Sequence, residues 1–141
     1  MLLGTEVPQT SNRKLQRKSL KNLIDELFSI DPRIRFIAVY HGQYIIAGGM
    51  RPSLKSHDPE DEARDIDLQL EKIGEILRTW QRWFGRLYTF TLRYERVNLV
   101  FQPLGGERFL VMSTEPQLDP SGLMVKIEAH SSYMTLTEEI P

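Results

Sequence analysis

Cysteine is absent from this 141-residue chain, which excludes disulfides, thiolate metal sites and cysteine nucleophiles. Histidine is nearly as scarce. His41, His57 and His130 form neither an i, i+4 pair nor an H-E-x-x-H frame, so no zinc site is predicted. The sequence has no G-x-S-x-G, the nucleophile elbow of the α/β-hydrolases. Gly48-Gly49 and Gly105-Gly106 lead into neither Gly-Lys-Ser/Thr nor a G-x-G-x-x-G frame, so they read as strand ends and turns rather than phosphate loops. The nearest metal candidate is His57 with Asp58, Asp61 and Asp65, acids that a helix N-terminus already accounts for. No enzyme and no cofactor is indicated. Long hydrophobic runs are lacking too, since none approaches the ~20 apolar residues that cross a bilayer. The opening MLLGTEVPQT has neither the charged start nor the apolar middle of a signal peptide. A cytoplasmic protein with no membrane partner is expected.

What is present is ordinary globular material, 40% hydrophobic and 26% charged, enough for one domain with a real core. The expectation is one α/β domain over residues 13–136, with flexible segments at 1–12 and 137–141. A net charge of −1 conceals a strong segregation: residues 13–21 carry Arg13, Lys14, Arg17, Lys18 and Lys21 with no acid, whereas 58–71 carry seven acids against Arg64. Cations near a helix N-terminus oppose its dipole, so local stability does not explain the basic stretch. It has two readings, a solvated helix side, which is the commoner cause of such runs, and a docking face for phosphates or an acidic protein surface. No aromatics are interleaved with these cations, which argues against single-stranded nucleic acid.

Hydrophobic spacing supplies the elements. Ser11 or Asn12 can cap a helix in which Leu20, Leu23, Ile24, Leu27 and Phe28 form an amphipathic stripe, stopped at Asp31-Pro32. The stretch IRFIAVYHGQYIIAGGMRP then reads as a hairpin turning at His41-Gly42, pairing Tyr40 with Gln43, Ala38 with Ile45 and Phe36 with Ala47. Both of its faces are apolar, so both strands are expected in the middle of a covered sheet. Asp58-Pro59 opens a long helix. Its seam of Ala63, Ile66, Leu70, Ile73, Leu77, Trp80 and Phe84 runs unbroken to the end. Ile76 and Trp83 widen the apolar arc, so Trp80 reads as core and Trp83 as a contact to another protein. Strands are predicted over 86–95, 97–102 and 109–112. Asp119-Pro120 caps a last segment taken as a helix through Leu123, Ile127, His130 and Met134, although Leu123, Val125, Ile127 and Ala129 also alternate as a strand would.

The order α-β-β-α-β-β-β-α defines an α+β fold, a central five-stranded antiparallel sheet with helices on both faces. That order, with the hairpin AVYHGQYIIAGG, resembles the roadblock/LC7 family, a roadblock/profilin-like architecture. The resemblance implies a homodimer whose sheets join at the third strand and whose second helices pack together. It also implies a non-enzymatic scaffold or regulatory role, with a small Ras-like GTPase as partner. The interface candidates are Ile76, Trp83, Arg86, Tyr88, Phe90 and Leu92. A second reading is a small-molecule sensor of the PAS/GAF kind, with a cavity ringed by Phe36, Tyr40, Tyr44 and Met50.

Overall fold

The structure, a computed structural model, describes residues 20–56, 63–130 and 133. The predicted domain limits, the caps at Ser11, Asn12 and Asp58, His57, Met134, and the cations Arg13, Lys14, Arg17 and Lys18 lie outside the described residues. Helix α1 occupies residues 20–28. It is followed by β1 (Ile34–His41), β2 (Tyr44–Met50), α2 (Ala63–Thr79), α3 (Gln81–Phe84), β3 (Phe90–Arg93), β4 (Asn98–Gly105), β5 (Arg108–Thr114) and α4 (Pro120–Ala129). The five strands form one antiparallel sheet in the order β2-β1-β5-β4-β3. This is the expected α+β class.

Alternation along the strands divides the apolar side chains between two faces. On one face Ile37, Val39, Val100, Leu110 and Met112 pack with Leu20, Ile24 and Leu27 of α1 and Leu123, Met124 and Ile127 of α4. On the other, Ala38, Tyr40, Phe101, Phe109 and Val111 pack with Leu70 of α2. The choice left open at the last segment falls to helix. Asp119 caps α4 by accepting from the Ser121 backbone N–H, Pro120 sits in the first turn, and Val125 faces solvent while Leu123 and Ile127 are buried. Arg51 joins the end of β2 to α1: its guanidinium donates to the Phe28 and Asp31 carbonyls at 2.8 Å and lies over the Phe28 ring. The Phe28 carbonyl at the C-terminus of α1 is thereby satisfied by a cation.

Five expectations are corrected. The hairpin turns one residue later, at Gly42-Gln43, pairing His41 with Tyr44 and Tyr40 with Ile45; a bulge follows, so Val39 faces Ala47 and Ala38 faces Gly48. Gly42 adopts φ +60, which suits glycine at the first turn position. Of the two hairpin strands only β1 lies inside the sheet; β2 is an edge strand on which Tyr44 and Ile45 are exposed. The long helix is not continuous. The Thr79 hydroxyl donates to the Glu75 carbonyl at 2.7 Å, and the Trp80 N–H turns back to Leu77, a tightening that separates α2 from α3. Trp80, expected in the core, is 46% exposed, and Phe84, at the end of the same seam, is 80% exposed. Finally, the strand predicted over 86–95 is reduced to β3, Phe90–Arg93. The β3–β4 register sets Phe90 against Phe101, and extending it would bring Tyr88 opposite Pro103, which has no N–H to give.

Candidate interaction site

The face of the sheet beneath α2 is built on aromatic rings. Phe90, Phe101, Phe109 and Tyr40, one each from β3, β4, β5 and β1, stack across the strands with centroids 4.6, 4.5 and 5.0 Å apart. Such cross-strand contacts stabilise a sheet and give it a flat apolar surface. Helix α2 comes close to this surface at Gly74, where a Cβ would meet the Phe101 Cζ at 3.0 Å. On one side of that contact Arg78 reaches the Gly106 carbonyl at 3.4 Å. On the other, the Tyr40 hydroxyl bonds Asp67 Oδ1 at 2.9 Å.

Between the first half of α2 and the sheet lies a cavity of about 740 Å³, lined by Phe36, Met50, Ile66, Leu70, Leu92 and Leu99 among others. Its polar contributors are few. Arg35 is committed elsewhere, with its guanidinium on Glu115 Oε1 at 2.7 Å and on the Lys55 carbonyl at 2.8 Å. No group of three or more His, Cys, Asp or Glu side chains poised for a metal occurs among the described residues.

The interface candidates fall on one stretch. Ile76, Trp83 and Tyr88 are 56%, 62% and 67% exposed, Arg86 is exposed, and Phe90 and Leu92 are half-buried on an edge strand that pairs only with β4 among the described strands. Arg82 lies over the Trp83 ring at 4.2 Å, and Arg86 over Tyr88 at 5.6 Å. Gln81 holds the corner between α3 and β3 by accepting from the Leu87 N–H at 2.8 Å. Sequence reasoning missed Phe84 as a surface residue, because its place on the seam matched the buried pattern. Of the basic face, Lys21 is exposed; its fellow cations lie outside the described residues. Of the sensor residues, Phe36, Tyr40 and Met50 line the cavity, but Tyr44 points to solvent, 60% exposed.

No family model and no curated protein matches the sequence. Solved structures do match in fold. The gliding protein MglB from Thermus thermophilus superposes with a TM-score of 0.68 at 11% identity, covering 87% of this chain and 91% of that one. A roadblock/LC7 domain from Streptomyces avermitilis gives 0.60 at 11% identity over 85% and 92%. MglC from Myxococcus xanthus gives 0.58 at 13% identity over 86% and 99%. The chain therefore has the roadblock/LC7 fold, the class its hairpin and element order resemble. Among the described residues no helix is long and apolar enough to cross a membrane.

Proposed function

We propose that this chain is a non-enzymatic interaction module that pairs with a second copy of itself and serves in the cytoplasm as regulatory partner of a small Ras-like GTPase. One observation carries the self-association: among the described residues the outer edge of β3 pairs with no strand, and it adjoins the exposed apolar side of α2 and α3. A strand edge left bare is a template for pairing, and a large apolar patch on a soluble domain marks an interaction surface. The fold neighbours support the same reading, since one is described as MglB with tetrameric arrangement. The GTPase step is an argument from fold likeness. Exposed Lys21 and the cations before it in sequence would offer an acidic surface on the partner a matching face.

Sedimentation of the full chain tests the pairing: a dimer at low micromolar concentration is expected, and Trp83→Asp should dissociate it with the fold intact, because it buries a charge only at the joint. Titration with a Ras-like GTPase of the same organism, loaded with GDP or with a non-hydrolysable GTP analogue, tests the partner. Binding that depends on the nucleotide supports it, and no binding in either state removes it. The cavity favours a second reading, a small-molecule sensor, for which a ligand retained in native mass spectrometry by a monomeric chain is the distinguishing result.

A further inference from the structure

We propose that the cavity between α2 and the sheet binds an uncharged, chiefly hydrocarbon ligand carrying one carbonyl group, of the kind a medium-chain ester presents. The inference rests on the sensor reading above and names the chemistry of its ligand. Strand register lays the floor of the site. Phe36 of β1, Ser113 of β5, Leu99 of β4 and Leu92 of β3 are direct cross-strand partners in one row, and all four line the cavity. Neighbouring strands lie ~4.8 Å apart, so the row makes a track about 14 Å long. Phe90 and Phe101, two residues away along β3 and β4, wall one side of it. The track is hydrocarbon except at Ser113.

Unused donors gather at the β1 end of that track. Ser113 is 8% exposed, and its hydroxyl makes no hydrogen bond among the described residues. Arg35, itself buried, reaches the cavity through a bulge. The β1–β5 register shifts between Ile34 and Phe36, so these two residues face opposite sides of the sheet and Arg35 is turned to the side of Phe36. Its bonds to Glu115 and the Lys55 carbonyl take one N–H on each terminal nitrogen. A guanidinium has five N–H donors, so the Nε–H and two others are left without a partner among the described residues. Buried donors without acceptors are costly, and a carbonyl oxygen, with two lone pairs, can accept from both residues. Charge narrows the ligand further. Arg35 and Asp67 are the charged side chains lining the cavity among the described residues, and Glu115 and the Tyr40 hydroxyl already engage them. A carboxylate would enter beside Glu115, and an ammonium would face the guanidinium. Neither meets an uncompensated opposite charge, and a buried unpaired charge is strongly disfavoured.

The test titrates the full chain with methyl decanoate, decanoate and decylamine by calorimetry, each below its solubility or micelle limit. The ester is expected to bind at a single site, with both ions at least roughly tenfold weaker. Ser113→Ala should weaken the ester roughly three- to tenfold, the worth of one hydrogen bond, with an unchanged circular-dichroism spectrum. Ile66→Trp, at a helix position 42% exposed, should fill the space and abolish binding in a folded chain. Equal or tighter binding of either ion, or an ester affinity untouched by Ser113→Ala, overturns the ligand class and leaves the sensor reading standing. Ester binding that survives Ile66→Trp places the site elsewhere and overturns the inference too. If none of the three binds, the inference falls. A different small molecule retained in native mass spectrometry then keeps the sensor reading, and none retained removes that as well.

Discussion

Asp31 shows how much one residue of this chain does beyond what its sequence position suggests. Read along the chain it is the helix stop before a proline. In the fold its carboxylate accepts from the Arg33 backbone N–H and Nε at 2.8 and 3.0 Å through Oδ1, and from Nη2 at 2.8 Å through Oδ2. The Arg33 side chain first, and its backbone N–H second, hold the carboxyl down at about 2 against the ordinary 3.8, with burial opposing them. A folded-state value below the unfolded one stabilises the fold above pH 3.8, and that contribution is lost as pH falls through about 2. Arg33→Ala should therefore move the Asp31 titration midpoint part of the way back up, the backbone bond remaining, and shift acid unfolding to higher pH. A carbon-detected NMR titration with a circular-dichroism acid series checks both. The pair was invisible in the sequence because a two-residue reach across a turn depends on backbone direction, not on spacing.

At the scale of elements, local geometry decides which patterns survive. Gly48 has φ +95, and a Cβ there would collide with the Ile37 carbonyl oxygen and meet the Ala38 Cα at 2.8 Å. Gly48→Ala should lower stability by at least about 1–3 kcal/mol, the usual cost of a strained backbone with a steric conflict added, as a drop in the urea midpoint at unchanged slope. Trp80 gives the opposite case. On its apolar seam it reads as a core residue whose removal costs about 3–5 kcal/mol, yet it stands 46% exposed at the break between α2 and α3. Trp80→Ala should cost well under that in the dissociated chain, as chemical unfolding at sub-dimer concentration would measure. The seam is real as a periodicity; its burial depends on what lies opposite, and α2 meets the sheet closely at Gly74 and Leu70 rather than along its whole length.

For the molecule as a whole, the question is how a two-faced sheet is covered. The α1 and α4 side is closed: Ile24, Leu27, Ile37, Leu110 and Ile127 are each 2% exposed or less. Among the described residues the α2 side is covered by one long helix, which leaves Leu92 half-buried on the β3 edge and part of the cavity lining. Leu92→Asp should abolish self-association, since an interface there would bury an unpaired carboxylate, while the urea transition of the monomer moves little. A variant that still sediments as a dimer would relocate the interface away from β3.

By itself the sequence determined the type and order of the elements, save the break that divides α2 from α3, because periods of two and 3.6, cap residues and prolines act over a few neighbours. Asp119-Pro120 starts α4, and the apolar stripe of Leu20, Ile24 and Leu27 is buried as its spacing required. Tertiary structure alone decided the hairpin register, the edge position of β2, the shortness of β3 and the exposure of Trp80. A strand apolar on both faces carries no polar side to lock its pairing. Strand length is set by the N–H and C=O groups a partner offers, and beyond the Phe90–Phe101 pair β4 presents Pro103, which has no N–H. Whether an apolar residue is covered depends on a surface contributed from far along the chain.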